Sequence, residues 1–379
     1  MINESDSTLS GIYTYLKQIE PALENRGWQV FYIFLSNQNK RDNKVFLIKQ
    51  PESVRLKKFW QQNLWTPELF SSLKEALVKI SPDVVHLHNF YYYLNTLEKA
   101  IDKRKVIQTV HDYGLVNIRH SHIPTDQLAG DEKSKFLIGQ TAGLFIDRCI
   151  FNSLNNRRQL VNKFIAPTRD LTIKLNKINL ATTYLPYPQR SNFFSIKRED
   201  SNNIVYAGRL ERIKGMSVLL EAFKLVSQKL PASRLIFAGQ GNAKPTMKKY
   251  VIDNNLSDQV SFIGSLNENE LLQLYSKAQV AVCPSLWLEN SPLSVIEALS
   301  AGIPVVASNI GGLPEMITNN QNGFLVKPGD QKELADKLIQ LLQDKNLNQK
   351  MGQIARQLSH LRPTPKQHAR ALINIYNGL

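Results

Sequence analysis

A chain of 379 residues exceeds one ordinary domain and suits two α/β domains. With 42% hydrophobic and 21% charged residues, its composition is that of a globular protein and excludes a disordered one. Two cysteines, Cys149 and Cys283, exclude a disulfide framework and a four-cysteine zinc site, while a net charge of +15 attracts phosphates on nucleotides, lipids or nucleic acids alike.

The opening MINESDSTLSG is polar and lacks an apolar signal core, and no run of 18 apolar residues follows. The expectation is a cytoplasmic protein. The chain then passes directly into a loop and a helical stretch, SGIYTYLKQIEPALENRG, so the buried strand that should open a Rossmann-like half is expected to be missing. Strand-like runs follow at 28–35, 44–48, 83–88, 105–111, 164–167 and 181–186. Helical patterns fill the gaps. In PELFSSLKEALVKI (67–80), Leu69, Leu73, Ala76, Leu77 and Ile80 recur three or four apart and make one apolar face. Strand and helix alternating at this spacing predict a parallel sheet with right-handed crossovers.

Before that first half closes, SVRLKKFWQQNLW (53–65) stands out. If helical, it sets Leu56, Phe59, Trp60 and Leu64 on one face beside Arg55, Lys57 and Lys58. A basic amphipathic segment with tryptophan suits peripheral contact with an anionic membrane, here the inner face. Packing of that face against the domain core is the alternative. The segment 186–203, rich in Pro, Asn, Ser and charge, reads as an interdomain linker.

The second half repeats the plan with strands at 203–208, 233–239, 260–264, 278–285, 303–308 and 323–326, and helices such as 217–230 and 333–344. The predicted division is 1–188, 189–363, and a last helix over 364–379 that crosses back to the first domain.

Three stretches of this half carry chemistry. In GRLERIKG (208–215), Gly208 permits a tight turn after a strand, and Arg209 and Lys214 set two cations near a helix start. With the helix amides they make a diphosphate site; a surface turn with solvated charges is the plain alternative. FAGQGN (237–242), with Gly239 and Gly241, is a second glycine turn at a strand's carboxyl end. In PSLWLENSPLSVIEALSAGIPVVASNIGGLPEMI (284–317), Glu289 lies in a loop and Glu297 about a turn and a half into the next helix. A carboxylate in the loop can reach sugar hydroxyls, and one near the helix start can accept from both hydroxyls of a ribose. Gly302, Gly311 and Gly312 allow close backbone approach.

The order of these motifs resembles family 4 of the glycosyltransferases, retaining enzymes of GT-B architecture, with Glu289 and Glu297 matching the family's E-x7-E pattern. The resemblance implies two Rossmann-like domains with parallel sheets facing across a cleft. It implies a donor site in which Arg209 and Lys214 neutralise the diphosphate, Glu289 meets the donor sugar and Glu297 the ribose. Ser291, Pro292 and Leu293 would bring backbone to sugar and phosphate, alongside Gly208, Gly239 and Gly241. PDVVHLHN (82–89) and VIQTVHDYG (106–114) are similar to the family too, and the resemblance places His111 at the donor sugar and reaction centre. Gly11 is what remains of the Gly-Gly loop that approaches the donor phosphates. His86 and His88 read as structural, and the H-x-H of His120 and His122 has no evident third ligand. No D-x-D motif occurs, so no metal and no other cofactor is expected.

The function implied is transfer of a sugar from a nucleotide-diphosphate sugar to a hydroxyl of a glycan or lipid-linked acceptor, in polysaccharide or glycolipid synthesis. Alternatives are a catalytically impaired relative or partner subunit, a sugar-nucleotide epimerase and, least in keeping with the motifs, a basic nucleic-acid-binding protein.

Overall fold

The structure is a computed structural model describing residues 1–3, 11–36, 40–41, 44–49, 66–88, 94–116 and 155–379. The segment 53–65, His120, His122 and Cys149 lie outside the described residues. The chain divides into two units. Of the described residues, those within 1–116, 155–186 and 365–379 make one unit and 187–364 the other.

The first unit holds strands β1 (Ile2–Asn3), β2 (Tyr32–Ser36), β3 (Lys40–Arg41), β4 (Val45–Lys49), β5 (Val84–His88), β6 (Lys105–Thr109), β7 (Lys163–Ala166) and β8 (Thr182–Tyr184). Their order in the sheet is β3-β4-β2-β1-β5-β6-β7-β8, all pairs parallel except β3 with β4. Tyr32–Ser36 is buried at every position, as a strand covered on both faces must be.

The expected loss of the first strand is corrected here. Ile2–Asn3 pairs in parallel with both β2 and β5, and the Met1 carbonyl accepts from Ile33 N at 2.9 Å. Two residues carry no periodicity and are followed at once by polar sequence, so no pattern could reveal them.

The second unit holds β9 (Asn203–Ala207), β10 (Arg234–Ala238), β11 (Val260–Gly264), β12 (Val280–Cys283), β13 (Val305–Ser308) and β14 (Gly323–Val326). They form a wholly parallel sheet in the order β11-β10-β9-β12-β13-β14. Counted within the unit this is 3-2-1-4-5-6, the doubly wound Rossmann arrangement. Helices Met216–Lys229 and Gln331–Gln343 bury Leu219, Phe223, Leu334 and Leu338 in one core with Leu235, Phe237 and Phe324 of the sheet. Capping is explicit. Asn267 and Glu270 form a reciprocal box at the start of Glu268–Ser276, and Asp330 accepts from Glu333 N.

The segment expected to be a linker is built into the second unit from Tyr187 onward. Tyr187, Arg190, Phe193 and Ile196 are buried around a 3-10 turn, Ser191–Ser195. The last helix, Pro365–Asn377, belongs to the first unit, where His368 and Tyr376 are buried against Tyr15, Trp28 and His86.

Candidate functional site

In a parallel sheet every strand ends on the same edge. The loops after β9, β10, β12 and β13 therefore emerge together. The chain leaves β9 toward β10 but leaves β12 toward β13, so β9 and β12 flank the point where strand order reverses, which is where such sheets bind ligands.

Backbone hydrogen bonds tie these loops to one another. Leu286 N and Trp287 N both donate to Ile213 O, at 2.9 and 3.1 Å, joining the β9 loop to the β12 loop. Leu210 N donates to Gln240 O at 2.8 Å, and Gly208 N to Ala238 O at 2.9 Å. Gly312 N donates to Glu289 O at 2.7 Å, bringing in the β13 loop. Two glycines make the closeness possible. Gly215 takes φ +77° and a Cβ there would overlap the Pro284 carbonyl oxygen; Gly311 takes φ +61° against the Glu289 backbone.

This weaving places Lys214 on Glu289. Lys214 Nζ donates to Glu289 Oε1 at 2.6 Å, with the side chains 18% and 10% exposed. A pair this enclosed meets little competition from water. Ser291 follows Glu289 closely; its Oγ is buried and has no hydrogen-bond partner among the described residues. Pro292 caps the helix Leu293–Ser300 and its carbonyl accepts from Val295 N and Ile296 N at 3.1 and 3.3 Å, which leaves the amides of Leu293 and Ser294 without an intrahelical acceptor. Gly208, Gly239 and Gly241 stand at the neighbouring loops, Gly241 against the Leu210 backbone. Arg209 is not drawn into this group. It is 68% exposed and pairs with Glu211 at 2.7 Å, while the buried Tyr206 hydroxyl donates to its carbonyl.

Glu297 lies inside the helix and is buried. Burial lifts its carboxyl to about 7, Arg190 pulling it down and Glu268 pushing it up. Arg190 Nε stands 3.3 Å from Glu297 Oε1 without hydrogen-bond alignment. Sequence reading did not single out Arg190; only the fold brings it to Glu297.

In the first unit His111 follows β6, half-buried, and the exposed Gly11 opens the helix Gly11–Glu24. His111 Nε2 meets His88 Nδ1 at 2.8 Å. Burial pushes both imidazoles well below their usual range, His111 to about 3, so the pair is neutral and shares one N–H. His88 Nε2 is buried without a partner among the described residues. A bare lone pair there costs less than a bare N–H, which favours His88 Nδ1–H as the donor and leaves His111 its proton on Nδ1. His86 is satisfied at both nitrogens, by Tyr376 and Thr109 at 2.7 Å each. His86 thus fits a structural role, whereas His88 also orients His111. Among the described residues no group of three or more His, Cys, Asp or Glu side chains could hold a metal ion, and no helix is long and apolar enough to cross a membrane.

Comparison with known proteins agrees with this architecture. Residues 9–180 match the model of Glycosyltransferase Family 4 and residues 189–358 that of Glycosyl transferases group 1, and the chain belongs to this family. A sulfoquinovosyl transferase of Arabidopsis thaliana is 36% identical over 157 residues, 41% of this chain and 29% of that one. An uncharacterized glycosyltransferase of Methanocaldococcus jannaschii is 27% identical over 272 residues, 69% of this chain and 66% of that one. The first curated relatives are thus each matched over less than two thirds of their length. Sucrose-phosphate synthase from Thermosynechococcus elongatus superposes with a TM-score of 0.76 at 19% identity, covering 100% of this chain and 98% of that one. HepE of Anabaena, solved in complex with UDP and glucose, does so with 0.76 at 17%, covering 100% and 99%. The fold is GT-B, with two Rossmann-like units.

Proposed function

We propose that the protein transfers a sugar from a nucleotide-diphosphate sugar to an acceptor hydroxyl, with retention at the anomeric carbon. The observation that carries this reading is the enclosed Lys214–Glu289 pair between the loops after β9 and β12, next to a helix start and the Ser291 hydroxyl, which has no hydrogen-bond partner among the described residues. The bond from the anomeric carbon to the diphosphate oxygen breaks, and a bond from the acceptor oxygen to that carbon forms on the same face. The departing phosphate takes the acceptor proton, and a glycoside and a nucleoside diphosphate leave. Negative charge grows on the diphosphate, where Lys214 and the amides of Leu293 and Ser294 at the helix start stabilise it. Arg209 can swing in from its exposed position. Glu289 accepts from the donor sugar's hydroxyls and Glu297 from those of the ribose. With cationic and amide groups meeting the diphosphate, the reaction needs no metal, and the acceptor is a glycan or lipid-linked sugar.

HepE's complexes with UDP and UDP-glucose make uridine nucleotides the first donors to try. The test is mass spectrometry of the protein with a panel of nucleotide sugars and glycan or glycolipid acceptors, with and without EDTA. An acceptor gaining one sugar mass alongside free nucleoside diphosphate, undiminished by EDTA, is expected. Sugar interconversion with no acceptor product would instead identify an epimerase.

A further inference from the structure

We propose that Arg190 is a positioning residue for Glu297. Its guanidinium holds the buried carboxylate ready for the ribose hydroxyls of the nucleotide, and without it the site recognises the ribose only at higher pH. This rests on the donor-site reading above and adds a residue to it.

Arg190 is 6% exposed and stands at the start of the Ser191–Ser195 turn. Its side chain is held from several directions. Nε lies 3.3 Å from Glu297 Oε1, and Nη2 donates to Glu268 Oε2 at 3.0 Å. The guanidinium also sits over the Phe193 ring, 5.3 Å from its centroid. Phe193 is fully buried edge-on to Tyr275, whose hydroxyl donates to Ser294 O in the helix that carries Glu297. The turn, the helix Glu268–Ser276 and the helix Leu293–Ser300 therefore close around one guanidinium.

The groups with charge or protons that face Glu297 are few. Arg190 approaches from the turn, and Glu268 and Tyr275 from the helix Glu268–Ser276. Glu268 opposes ionisation of Glu297, and burial keeps the Tyr275 phenol protonated. Arg190 alone of the three favours the carboxylate. A buried carboxyl that loses its cation takes up a proton rather than remain charged. The protonated acid can no longer accept from two hydroxyls at once. Removing Arg190 should therefore move the pH at which the ribose is recognised upward, an effect distinct from a collapsed site.

The test is calorimetric titration of the full chain with UDP and with 2′-deoxy-UDP at about pH 8 and about pH 9.5, both above the Glu297 value of about 7, with ADP and 2′-deoxy-ADP as a second pair. The ratio of the two affinities cancels the titration of the diphosphate itself. Wild type should prefer the ribonucleotide at both pH values, by about ten-fold for one charge-assisted hydrogen bond. Arg190→Gln should keep most of that preference at the higher pH and lose it at the lower. Arg190→Lys, which retains the charge, should hold it at both, and shows whether the pocket survives substitution. Glu297→Gln should lose it at both. Arg190→Gln with wild-type preference at the lower pH, or with equal loss at both pH values, would overturn the proposal. If instead Glu297→Gln leaves the preference intact, the ribose-site reading itself fails.

Discussion

The two units share a plan and differ in what they bury. In each, the first strand lies in the middle of a sheet that is parallel around it, and the order reverses beside it, at β1/β5 in one and β9/β12 in the other. Near these points the polar groups differ in kind, although the first unit also buries Glu20 and Arg157. The first unit packs neutral rings, with His88 on His111, His86 on Tyr376 and Tyr15 on His368. The second buries charges, Lys214 on Glu289 and Arg190 on Glu297. One scaffold thus supports two solutions to placing polar atoms in a core. Uncharged rings share hydrogen bonds at little desolvation cost, whereas ions need a partner of opposite sign.

The largest effect is expected where the second unit's loops cross. Gly215→Ala forces a Cβ onto the Pro284 carbonyl at a positive φ, and should cost about 3 kcal/mol or more in urea unfolding. Unchanged stability would mean the two loops are not locked together.

Next come the charged residues themselves. Lys214→Ala and Glu297→Ala should each lower nucleotide affinity roughly ten- to a hundred-fold, by about 1.5–3 kcal/mol, with circular dichroism unchanged.

The contrast also predicts pH slopes of opposite sign. His86, His88 and His111 have folded pKa values below the unfolded one of about 6.5. Their contribution is complete above that value and is lost as pH falls below it, on the order of 1–2 kcal/mol for a histidine by pH 5. Glu297 is raised from 4.5 to about 7, so its contribution is complete below 4.5 and is lost as pH rises through about 7. Hydrogen exchange corrected for intrinsic rates, compared at pH 5 and 7, should show 84–88 and 105–109 loosening in acid while 293–300 tightens. Parallel changes in both units would break the comparison. At the small end, Lys249→Ala removes an exposed helical ion pair with Asp253 and should change stability by no more than about 0.5 kcal/mol.

The fold class was legible because alternating apolar runs and amphipathic stretches survive in the sequence of both halves. What escaped was either too short or too remote. Ile2–Asn3 is a strand only because β2 and β5 leave a gap for it. The loops bearing Lys214 and Glu289 could be placed at strand ends from their glycines and neighbouring strands. Their mutual contact could not, because it depends on strand order. Arg190 in a polar stretch looked like linker, and only packing of Phe193 against Tyr275 turns it inward. His88 looked structural by its alternation with His86, and parallel pairing of β5 with β6 is what sets it against His111.

The central claim is that the loops after β9 and β12 hold the donor diphosphate through Lys214. Calorimetric titration of wild type and Lys214→Ala with UDP, both in EDTA, tests it most directly. The account predicts binding by wild type that is weakened at least about ten-fold in the variant. Equal affinity of the two proteins would contradict it.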